Sequence, residues 1–100
     1  MNIQSNNTTL NISEVQELTA ANAISAKSTI KEALSPDHTQ IDIDLSTASF
    51  VDSSGLGVLI SLHKEMASRN GLLRILNPTA SIDQILELTR LHRLFEVVKQ

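Results

Sequence analysis

The chain has 100 residues, a net charge of −3 and no cysteine. That length suits one domain spanning residues 1–100. The missing cysteines exclude a disulfide framework and a thiolate metal site, and the scattered basic residues leave no electrostatic footprint for nucleic acid. Apolar residues make up 41%, but Phe50 and Phe95 are the only aromatics, so the core is to be built from Leu, Ile, Val and Ala. No apolar run approaches the ~18 residues that span a membrane. The start, Met1 to Asn7, lacks the basic and apolar regions of a signal peptide. A cytoplasmic protein without membrane insertion is expected, with residues 1–8 forming a short or frayed N-terminal segment.

In chain order, residues 8–13 alternate polar and apolar as a half-buried strand does. Ala20, Ala23, Ile24, Ile30 and Leu34 then recur at helical spacing, which predicts a helix from about Thr19 to Leu34. Ser35-Pro36 ends it, because proline cannot continue the hydrogen-bond ladder. Ile41, Ile43 and Leu45 mark one face of a short strand. Helical spacing resumes after Ser53, with Leu56, Leu59, Ile60, His63 and Met66 on one side, and runs to about Arg69. Asn70-Gly71 supplies a stop. Residues 72–76 read as a buried strand. Asn77-Pro78 is a break, and Ser81 is the expected N-cap of a helix carrying Ile82, Ile85 and Leu86. Residues 95–98 close the chain as a strand. Strands alternating with helices predict an α/β fold: a small mixed sheet of four or five strands, largely parallel, with flanking helices.

The chemistry-bearing residues favour no enzyme. A hydrolase elbow needs Gly-x-Ser-x-Gly, and no glycine precedes Gly55. His38, His63 and His92 stand in unrelated contexts. Gly55-x-Gly57 lacks the spacing and the Lys-Ser/Thr of a P-loop and the third glycine of a dinucleotide fingerprint; on this reading Gly55 permits a tight turn and Gly57 close helix packing. Asp42 and Asp44 alternate with apolar residues, which places them on the wetter strand face and not at a metal. No catalytic residue, metal ligand or cofactor is expected. Asp52-Ser53-Ser54 remains, at a strand-to-helix junction where N–H groups and a positive dipole end lie open. Two readings fit. One is helix capping; the other is a serine whose charge state is switched by phosphorylation, which adds ~1.5–2 negative charges.

With its strand Ile41-Asp42-Ile43-Asp44-Leu45 followed by Phe50-Val51-Asp52-Ser53-Ser54-Gly55-Leu56-Gly57-Val58-Leu59, the chain resembles a STAS domain of the bacterial anti-sigma factor antagonist type. Asn70-Gly71 and the run from Ile82 to Leu91 fit the same pattern. The resemblance implies a partner switch without catalysis of its own. The unphosphorylated antagonist binds an anti-sigma factor that is also a serine kinase of the GHKL type. Phosphorylation of the serine after the aspartate releases it, and a PPM-type Ser/Thr phosphatase resets it. Carried over, Ser53 is the phosphoacceptor, and Asp52, Ser54, Gly55 and Leu56 shape the docking surface. Many such antagonists carry Gly-x-Leu-Asp at the first helix; here Gln16-Glu17-Leu18-Thr19 stands there, which puts Thr19 at the aspartate's position in that surface. Two rival functions share the fold: a STAS subunit bound to a transporter ATPase without a phosphoswitch, and a stressosome-like scaffold.

Overall fold

The computed structural model describes every residue, Met1–Gln100. The chain begins with an antiparallel hairpin, β1 (Asn2–Asn6) and β2 (Thr9–Ser13), in register from Asn2↔Ser13 to Asn6↔Thr9. Asn7 turns the corner with φ 56°, a left-handed conformation that asparagine tolerates better than most residues. The segment expected to be short or frayed is therefore a paired strand. Ile3 anchors it, packing against the core opposite Ile12. Asn6-Asn7-Thr8 was the overlooked turn signal.

The remaining elements follow as β3 (Glu17–Leu18), α1 (Ala23–Ala33), β4 (Gln40–Asp44), β5 (Phe50–Val51), α2 (Ser53–Ala67), β6 (Leu72–Leu76), α3 (Ala80–Leu88), a 3-10 turn (Leu91–Arg93) and β7 (Glu96–Val98). The main sheet has five strands in the order β1-β2-β4-β6-β7, and all pairings beyond the first hairpin are parallel. This is the mixed sheet the alternation predicts. Each crossover steps in the same direction across the sheet. Right-handed crossovers of that kind lay every helix on one face. The rows Leu10–Ile41–Leu73 and Ile12–Ile43–Ile75–Val97 run across that face. They pack with Ala23, Ala26 and Ile30 of α1, Val58, Leu59, Leu62 and Met66 of α2, and Ile82 and Leu86 of α3 into one hydrophobic core.

Several faces and boundaries differ from the sequence reading. Helix α1 starts at Ala23 and not near Thr19, because Glu17 and Leu18 pair with Phe50 and Val51 as a separate two-stranded ladder. The turn between them is closed by the Thr19 carbonyl, which accepts the N–H groups of Asn22 and Ala23. Ile24, expected inside, is 84% exposed. The buried stripe of α1 passes through Ala26 instead. On α2 the buried residues are Gly55, Val58, Leu59, Leu62 and Met66, so Leu56, Ile60 and His63 flank the stripe. The N-cap of α3 is Thr79, two positions before the expected Ser81. After α2 the left-handed residue is Asn70, φ 57°, and not Gly71. Gly71 is required for a different reason: a Cβ there would sit 2.4 Å from the Thr39 carbonyl oxygen.

Candidate functional site

The β3–β5 ladder delivers the Asp52-Ser53-Ser54 segment to its place. Val51 pairs with Leu18 and points into the core, and the Asp52 N–H donates to the Leu18 carbonyl at 3.3 Å. Asp52 then takes an extended conformation, φ −104° and ψ −171°, and caps α2. Its Oδ1 accepts the Gly55 N–H at 3.0 Å and its Oδ2 accepts the Ala20 N–H at 3.0 Å. The carboxylate thus ties the start of α2 to the turn before α1. These bonds, the Ala20 N–H first and the Gly55 N–H second, hold the Asp52 carboxyl below the usual carboxylate range. Hydrogen bonds to the charged form favour that form.

Capping is therefore present, and it is done by Asp52 alone. Ser53 and Ser54, the first two residues of α2, are both exposed. The Gly55 N–H is committed to Asp52 Oδ1 and the Leu56 N–H to the Asp52 carbonyl at 2.9 Å. The helix start is less open than the sequence implied, because its own aspartate fills part of it.

Neither glycine holds the role assigned to it. Gly55 has no positive φ, so no turn requires it. A Cβ on Gly55 would lie 1.9 Å from the Leu18 carbonyl oxygen, closer than any real contact. Gly55 is thus the close-packing glycine, and it lets α2 sit directly on β3. Gly57 has nothing within 4 Å of a would-be Cβ.

The structure brings Asp52, Ser53, Ser54 and Gly55 together on one corner. Leu56 lies half-buried beside them, packed against the core. Thr19 is adjacent through Ala20 but only 8% exposed. Its Oγ1 accepts the Ala21 N–H at 3.2 Å, and its own N–H donates to Asn22 Oδ1 at 2.9 Å. Thr19 thus shapes the turn that Asp52 holds. Phe50, which the sequence left without a role, stands 58% exposed just before the corner.

Other candidates are occupied elsewhere. Asp42 lies on the sheet face opposite Ile41 and Ile43, which no helix covers, yet it is only 7% exposed. The Arg74 guanidinium donates to both of its oxygens, at 2.9 and 3.0 Å, and Gln40 donates a third bond. Burial pushes the Asp42 carboxyl up, but the Arg74 and Gln40 bonds outweigh it and leave the group below its ordinary range. No group of three His, Asp or Glu residues is placed to hold a metal ion. His38 is buried, accepting the Ser35 N–H on Nδ1 at 2.9 Å and bonding Ser5 Oγ through Nε2 at 2.8 Å. It ties the N-terminal hairpin to the turn before β4. His63 meets the Phe95 ring edge-on, centroids 5.8 Å apart. No helix is long and apolar enough to cross a membrane.

The whole chain, residues 1–100, matches the STAS domain model. The protein belongs to the STAS domain family. A relative from Thermotoga maritima, described as a candidate anti-sigma factor antagonist, is 29% identical over 83 residues, covering 82% of this chain and 74% of its own. The crystal structure of a Thermotoga maritima candidate anti-sigma factor antagonist superposes with TM-score 0.91 at 22% identity, over 99% of this STAS domain and 86% of the other chain. The Bacillus cell fate determinant SpoIIAA, in its phosphorylated form, superposes with TM-score 0.76 at 21% identity, over 96% and 88%. This STAS domain is accordingly a homologue of anti-sigma factor antagonists, and the structural likenesses establish the shared fold.

Beside Ser54 a groove of about 480 Å³ runs between α1 and α2. Buried Ala23 and Val58 line it together with exposed Ala20, Ile24, Lys27 and Gly57. No pattern in the sequence marked it, because it depends on how two helices distant in the chain cross.

Proposed function

We propose that this STAS domain is an anti-sigma factor antagonist that works by partner switching. The unphosphorylated form binds an anti-sigma factor/serine kinase of the GHKL type; phosphorylation of Ser53 releases it, and a PPM-type phosphatase restores it. The observation that carries this reading is the division of labour at one corner. Asp52 is locked by two backbone N–H groups, while Ser53 directly after it is exposed and free of any structural duty. A residue that holds the fold cannot be modified without cost, and Ser53 does not hold it. A relative of the same fold, SpoIIAA, has been solved in a phosphorylated form.

The chemistry follows from charge. A phosphoryl group on Ser53 adds ~1.5–2 negative charges next to a carboxylate already kept ionised by its hydrogen bonds. On the free domain that charge stays in water. In a complex it must be desolvated against a surface shaped for a neutral hydroxyl, which costs several kcal/mol on general grounds. The switch thus acts on binding far more than on folding.

The test is incubation with a GHKL-type anti-sigma factor kinase from the same organism and ATP, followed by intact mass measurement and peptide mapping. A single phosphoryl group on Ser53, with loss of kinase binding, is the expected result. Phosphate on Ser54, or unchanged binding after modification, overturns the assignment.

A further inference from the structure

We infer that the α1–α2 groove beside Ser54 is a docking slot for an aliphatic side chain of the partner that carries an acidic residue next to it, with Lys27 as the charge it meets. The inference rests on the partner-switching reading and specifies the partner's chemistry.

Three separate observations lead there. Three of the lining residues are small, Ala20, Ala23 and Gly57, and at Gly57 there is open space where a side chain would stand. Ile24, another lining residue, is 84% exposed, while the core-facing stripe of its helix passes elsewhere. A large aliphatic group at a groove edge gains by being covered. Lys27, the one charged residue lining the groove, makes no ion pair within the chain. An unpaired cation on a chain of net charge −3 selects an acidic partner locally. The slot is continuous with Ser54, so an occupant would also lie against the corner where Ser53 stands.

The charge arrangement makes occupancy sensitive to the switch. A partner carboxylate drawn to Lys27 approaches the same corner that phosphorylation makes negative. Like charge near the slot then opposes docking.

Calorimetric titration with a GHKL-type anti-sigma factor kinase from the same organism, free of ATP, tests the slot directly. Ile24→Ser and Lys27→Glu should each weaken binding at least tenfold, and Gly57→Leu should do so by filling the groove. Lys31→Glu, the same charge change at an exposed position on α1 outside the groove, should stay within twofold of the parent. All four sites are exposed, so cooperative melting at temperatures within a few degrees of the parent's will show that the fold is intact. Groove variants that bind within twofold of the parent overturn the inference while leaving the switch standing. If the parent protein does not bind the kinase, the switch reading fails, and amide chemical shifts decide the slot. N-acetyl-Leu-Glu-amide at millimolar concentration should then shift the amides of residues 20–27 and 54–58, and N-acetyl-Leu-Lys-amide should not. Equal or absent shifts with the two dipeptides overturn the slot.

Discussion

The Asp52 carboxylate accepts the backbone N–H of Ala20 at 3.0 Å, joining two positions 32 residues apart in the chain. Together with the Gly55 bond it depresses the Asp52 pKa. A carboxylate whose folded value lies below its unfolded value contributes stability above the unfolded value of ~3.9, and the contribution disappears as pH falls through the folded value. Asp52→Asn should therefore lower the melting temperature at neutral pH, and the gap to the parent should close below about pH 4. Thermal melts of both proteins from neutral to acid pH check this. A gap that is constant with pH would show that the charge of Asp52 is irrelevant to its bond with Ala20.

The two glycines of α2 should respond to alanine with opposite signs. Gly57→Ala enters open space and should stabilise by roughly 0.5–1 kcal/mol through helix propensity. Gly55→Ala drives a methyl into the Leu18 carbonyl and should destabilise by about 1–3 kcal/mol or more, the usual cost of overpacking. Urea denaturation of the pair, with slopes compared, measures both effects.

Asp42 and Arg74 should behave as one unit. Arg74 is 28% exposed at its side chain, so water screens part of the attraction. Arg74→Met should cost about 1–3 kcal/mol, because it strips Asp42 of two charge-assisted bonds. Replacing both residues, with Asp42→Leu added, should cost less than the sum of the single changes, with a coupling of about 0.5–3 kcal/mol. A double-mutant cycle in urea is the measurement, and strict additivity would mean the pair contributes nothing.

Phosphorylation of Ser53 should reach the turn before α1 through Asp52. Added negative charge repels the carboxylate that holds the Ala20 N–H. The Ala20 amide should therefore shift and lose protection from exchange, while amides in β4 and β6 stay unchanged. Melting temperatures of the two forms should differ by only a few degrees, against a fall in partner affinity of at least tenfold, about 1.4 kcal/mol. Two-dimensional NMR of the parent and phosphorylated proteins tests this, and a uniform loss of amide protection would point to unfolding instead.

Patterns that repeat within a few residues were legible in the sequence. Ile41, Ile43 and Leu45 alternate and are buried, and the helical spacing after Ser53 marks α2. What escaped depends on partners far along the chain. Glu17 and Leu18 are a strand only because Phe50 and Val51 lie beside them. Asp42 is dry only because Arg74 covers it from the next strand. Ile24 satisfied the helical spacing, yet the start of α1 was set by that same distant ladder, which turned Ile24 outward. At the candidate site, the motif singled out a corner of the fold but not the division of roles there: Gly55 needs its missing side chain because of Leu18, a residue no local pattern connects to it.

Because β2, β4, β6 and β7 run parallel with helices between them, the starts of α1, α2 and α3 gather along one rim, at the carboxyl ends of the strands. Asn22, Asp52 and Thr79 mark those starts, and the loops leading into them have little share in the sheet behind. Substitutions along that rim can accumulate without disturbing the rows of Ile, Leu and Val that hold the sheet. On the proposed function, a lineage of such chains can thus change its allegiance from one signalling partner to another while inheriting the same framework, and closely similar folds in one cell can be kept from answering each other's signals.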